Sequence, residues 1–161
     1  MRLSPAFALA ILCLVGCAGR VTDSTSSVDL NFSDPSSNAS ASLAAMVSGS
    51  AFQRTTTFPL LCTVTEANPP SGLSTRIVRI NMDNPVVGAE NALVGGGTTY
   101  VEAVETTSVG TSTWRSQGGK LTLVSNDAKG SEFTLTDVEM TSFSGSAKGQ
   151  YKLNGSLSVR F

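Results

Sequence analysis

The chain has 161 residues and a formal net charge of −1, from 11 basic and 12 acidic side chains. That length suits one domain of ordinary size, and near-neutrality without clustered Lys and Arg excludes a nucleic-acid surface. There is no histidine, and charged residues make up only 14% while Ser, Thr and Gly abound, a mix that fits an exported β protein rather than a helical cytosolic one.

Taken from the start, Met1 and Arg2 give a short positive segment, and Pro5 to Val15 form an apolar run. The run is too short to span a bilayer, which takes about 20 apolar residues, and has the length of a secretory core of roughly 7–15. It ends in Leu14-Val15-Gly16-Cys17, with small Gly16 where a peptidase needs a small side chain. This stretch resembles the lipobox of bacterial lipoprotein signal peptides. The resemblance implies that residues 1–16 are removed and that Cys17 becomes the acylated first residue. Each buried methylene contributes about 0.8 kcal/mol, so one acyl chain binds reversibly and two or more hold firmly. The position after Cys17 is Ala18, not Asp, which by the same resemblance implies the outer membrane of a diderm bacterium. The alternative is ordinary cleavage after Gly19, releasing a soluble protein.

Of three cysteines, Cys13 leaves with the signal and Cys17 is acylated, so only Cys62 remains. No disulfide within the mature chain follows, even in an oxidising compartment. Cys62 keeps phase with Phe58, Leu60 and Val64, the pattern of a buried thiol serving as a small hydrophobe.

Residues 17–46 read as the lipidated Cys17 and a flexible tether rich in Ser and Thr, with little to bury. A flexible stretch of that length spans about 30 Å root-mean-square. Within it, Val28 to Phe32 can add a short strand and Ala39 to Val47 a helical turn. Residues 47–161 form a single β domain in which alternating runs are broken by turn residues. The expected strands are 47–53, 56–66, 73–82, 98–106, 112–116, 120–125 and 132–140, with Pro59 marking an edge or bulge. Asn68 to Gly72, Gln117-Gly118-Gly119 and Asn126 to Gly130 read as turns, and 83–97 as a longer connection. The last run is the cleanest, with Tyr151, Leu153, Leu157, Val159 and Phe161 inward and Gly155 in phase. About eight short strands point to an all-β fold, an antiparallel sandwich or small barrel. Val47 to Phe52, Gly118 to Leu123 and Phe133 to Leu135 resemble stretches of small bacterial lipoproteins whose domains have no assigned role.

Chemistry is sparse. No Ser-x-x-Lys stretch sits on a plausible helix, and Gly95-Gly96-Gly97 feeds a strand rather than the helix a phosphate loop requires. Asp137 and Glu139 share a face on a regular strand; they read as solvated carboxylates, as calcium ligands with loop oxygens, or as an acid–base pair. Glu102 and Glu105 fall on opposite faces. Trp114, with Tyr100 and Tyr151 behind it, is either a core anchor or an exposed sugar platform.

The resulting expectation is a lipid-anchored envelope protein, not an enzyme and needing no cofactor, whose β domain is an interaction or structural module. Its partners are the membrane, through the lipid, and another envelope protein or a glycan. A glycan or peptidoglycan module using Trp114 is the second reading. A calycin-like carrier of apolar ligands, requiring a hollow interior, is the third.

Overall fold

The computed structural model describes residues 26–34, 39–46, 51–55, 59–66, 68–69 and 71–160. These residues are strand and turn throughout. The strands are β1 (Ser27–Asp34), β2 (Ala39–Met46), β3 (Ala51–Arg54), β4 (Leu60–Thr65), β5 (Thr75–Met82), β6 (Glu90–Ala92), β7 (Tyr100–Thr107), β8 (Gly110–Asp127), β9 (Gly130–Gly145) and β10 (Gln150–Arg160). They build one antiparallel sheet in the order β2-β1-β10-β9-β8-β7-β5-β4-β3, with β6 paired to β8. The fold is all-β, and the sheet curls into a half-barrel.

The period-2 pattern explains which face turns inward. In β4, Leu60, Cys62 and Val64 are buried; in β5, Val78, Ile80 and Met82; in β10, Leu153, Leu157 and Val159. A sheet with one apolar face must bury it, and this one does so by coiling. Its concave side is packed with Phe133, Leu135, Val138 and Met140 of β9 and Leu121 and Leu123 of β8. One polar link ties the coil, and another extends the β1–β10 ladder. Arg54 Nη1 on β3 donates to the Asp127 carbonyl at 2.7 Å, joining the sheet's far strand to the β8–β9 hairpin. Ser26 and Arg160 exchange bonds, with Ser26 Oγ donating to the Arg160 carbonyl at 2.9 Å and accepting from its N–H at 2.7 Å.

Several expectations are corrected. Within the tether assigned to 17–46, Ser27–Asp34 and Ala39–Met46 are strands. β1 pairs with β10 from Ser27↔Ser158 to Ser33↔Lys152, and Val28 and Leu30 enter the core. The helical turn expected at Ala39 to Val47 is instead β2, paired along its whole length with β1. Gln117-Gly118-Gly119 is no turn, because β8 runs unbroken for 18 residues. One edge pairs with β7 over Gly110 to Arg115 and with β6 over Lys120 to Thr122, while β9 pairs with the other edge from Ser112 to Asp127. Pro59 lies one residue before β4 rather than inside it. The signal segment, Cys17, residues 18–25 and Phe161 lie outside the described residues.

Curvature comes from interruptions of the ladder. Register shifts between β8 and β9 fall at Thr113/Trp114, Ser116/Gly118, Gly118/Lys120 and Leu123/Ser125. Another falls between β9 and β10 at Leu153/Gly155. Each bulge adds local twist and bends the strand. At the middle of the sheet Gly119, Asp137 and Gly155, on three adjacent strands, all take positive φ.

Candidate functional site

One charged residue sits in the apolar row of the concave face. In β5, Arg76 keeps phase with Val78, Ile80 and Met82, and only 7% of it is exposed. A buried guanidinium needs partners, and the neighbouring strand supplies one. Glu105 of β7 stands directly opposite in register, and Arg76 Nε donates to Glu105 Oε1 at 3.0 Å. Glu66, one residue past β4, brings Oε2 to 3.6 Å from Arg76 Nη1.

Aromatic rings complete the site. Phe32 of β1 has its ring centroid 5.7 Å from the Arg76 guanidinium carbon. β1 and β5 are far apart along the sheet order, so only the coil brings these two residues together. Trp114 of β8 and Tyr151 of β10 meet edge to face, with centroids 5.3 Å apart and planes at 77°, the preferred geometry for an aromatic pair. The Trp114 indole N–H donates to the Lys148 carbonyl at 3.2 Å, so its one polar atom is satisfied. Phe32, Arg76, Ala103, Glu105, Trp114 and Tyr151 together line a cavity of about 230 Å³.

The ionic cluster is incomplete. Arg76 Nη1 and Glu66 Oε2 are buried and make no hydrogen bond among the described residues, their 3.6 Å separation being beyond bonding range. Burial raises the Glu66 pKa above its ordinary value, Arg76 opposes that shift, and Glu105 reinforces it. One guanidinium thus faces two carboxylates. The arrangement offers donors and acceptors side by side, walled by rings.

The residues expected from sequence divide between the two faces. Trp114 and Tyr151 come together, but Trp114 is only 6% exposed, so the exposed platform is not formed; it packs in the core and lends one wall to the cavity. Tyr100 is not behind it. Tyr100 lies on the convex face, stacked 3.5 Å from the Arg115 guanidinium carbon, which also lies 5.1 Å from the ring of Phe143. Asp137 and Glu139 are exposed, but the strand between them is not regular: Asp137 is the bulged residue, at φ 49°, and its N–H donates to Asn154 Oδ1 at 2.7 Å. Among the described residues no group of three or more His, Cys, Asp or Glu side chains stands together to hold a metal ion. Cys62 is fully buried, and burial pushes its thiol up to about 12, despite Arg54 and a hydrogen bond with Ser131 that pull it down. The proposed lipidation site, Cys17, is outside the described residues.

Phe32, Glu66, Arg76 and Glu105 were missed. A signal for two of them was present: Arg76 and Glu105 occupy the apolar phase of their strands, where a charge demands an explanation. Nothing local announced Phe32 or Glu66.

The described chain is therefore an all-β half-barrel with an aromatic and ionic cavity on its concave face. Comparison with family models, with curated proteins and with solved structures finds no match.

Proposed function

We propose that the chain is a lipid-anchored protein of the cell envelope, in the outer membrane of a diderm bacterium, whose half-barrel is a non-catalytic interaction module. Support for the anchor is the Leu14-Val15-Gly16-Cys17 stretch at the end of a short apolar run. The observation that carries the module is the cavity beside Arg76, where the Arg76–Glu105 pair stands among the rings of Phe32, Trp114 and Tyr151. A carrier of large apolar ligands is less favoured, because the concave side is filled by Leu30, Leu121, Phe133, Met140 and their neighbours.

The anchor is tested by replacing Cys17 with Ser and fractionating cells. The variant is expected to leave the membrane pellet, or to accumulate unprocessed with its signal attached. Mature protein of unchanged size, retained at the membrane without its thiol, would refute lipidation.

A further inference from the structure

We infer that the cavity beside Arg76 is a binding site for one neutral sugar ring. This rests on the reading of the half-barrel as an interaction module and names its ligand class.

Arg76 and Glu105, the charged residues that line the cavity, are paired at 3.0 Å, so their charges already offset one another. An anion entering the cavity meets Glu105 and a cation meets Arg76, each at an energetic cost in a poorly solvated site. A hydroxyl is different, because it donates and accepts through one oxygen. Vicinal hydroxyls are thus the groups that satisfy a guanidinium and a carboxylate held side by side. Glu105, with its side chain 28% exposed, is the acceptor that a ligand reaches.

The walls favour the same class. Phe32 and Tyr151 are half-buried, and Trp114, edge to face with Tyr151, shares the lining. The C–H face of a pyranose packs on such rings while its hydroxyls stay free for the ionic side. Size agrees: at about 230 Å³ the cavity lies below the roughly 300–1,000 Å³ of sites for drug-sized ligands, which suits one ring rather than a long acyl chain.

The chain carries its own reporter, since Trp114 is its only tryptophan. The full-length protein in detergent is titrated with glucose and N-acetylglucosamine, and separately with glycine, tetramethylammonium and acetate, following Trp114 fluorescence and heat. A saturable change with either sugar and none with the charged probes is expected. Glu105→Gln should weaken sugar binding at least tenfold. Because ionic substitutions can unfold the site, Ala103→Leu provides the second variant: it fills the cavity, should keep or raise Tm, and should abolish binding. Saturation by glycine or tetramethylammonium instead, lost in Ala103→Leu, overturns the sugar and leaves the interaction module standing. Sugar binding unchanged in a folded Ala103→Leu overturns the site. No response to any probe, with Ala103→Leu more stable than the parent, makes the cavity an internal void and overturns both. Insoluble peptidoglycan, pulled down with and without competing free sugar, separates a polymer-borne ring from a free one.

Discussion

Gly119 of β8 lies so close to Asp137 of β9 that a Cβ at Gly119 would collide with the Asp137 carbonyl oxygen. Both residues take positive φ, at 93° and 49°, and Gly155 on the next strand, at φ 137°, repeats the arrangement with its missing Cβ against the Asp29 carbonyl oxygen. These three positions form a line across β8, β9 and β10 along which the sheet bends, in the manner of glycine kinks and bulges that impose curvature on sheets.

Substitutions along this line should cost stability in an order set by backbone strain. Gly119→Ala meets backbone atoms that cannot move aside, and is expected to lose about 1–3 kcal/mol or more. Asp137→Gly should be neutral or stabilising, and Asp137→Val clearly destabilising, because a β-branched residue tolerates positive φ least. Urea unfolding followed by circular dichroism ranks them; equal effects of Gly and Val at 137 would refute the assigned backbone conformation.

β1 belongs to the folded unit. A chain beginning at Ser26 should unfold cooperatively, whereas one beginning at Val47 loses Val28 and Leu30 from the core, at about 1.5–3 kcal/mol for each buried side chain, and leaves β10 with an unpaired edge. Expression of both, with thermal melts, checks this; equal melting temperatures would show that β1 contributes nothing.

Glu66 gives a pH signature. Its pKa is raised in the folded state, so the native protein binds this proton more tightly than the unfolded chain. The site then favours folding most at acidic pH and loses that contribution as pH rises through the raised value. Glu66→Gln removes the ionised form, so it should melt above the parent at pH 7, with the gap closing as pH falls toward the ordinary value of 4.5. A gap that widens on acidification would mean that attraction to Arg76 outweighs burial.

Cys62 should be inert. With its thiol pushed up to about 12, a thiol reagent at pH 8 should find no fast-reacting Cys62 in the native protein and recover it on unfolding. Above about pH 9 the unfolded thiol ionises and the folded one does not, so stability should fall by up to about 1.4 kcal/mol per pH unit until about 12. Cys62→Ala should lack that slope.

What the sequence determined by itself was the class and the faces. Period-2 alternation is a local property, so the burial of Leu60, Cys62 and Val64, of Val78, Ile80 and Met82, and of Leu153, Leu157 and Val159 was readable from neighbours alone. Tertiary structure decided the rest, because pairing and coiling depend on residues distant in the chain. A glycine pair inside a polar stretch reads as a turn, and only the ladders on either side of Gly118-Gly119 make it a bulge in one long strand. Polar, Ser-rich residues read as tether until β10 offers β1 an edge to pair with. Arg76 and Glu105 were visible as charges out of place, but the ring of Phe32 reaches them only when the sheet closes on itself, and the cavity exists only after that closure.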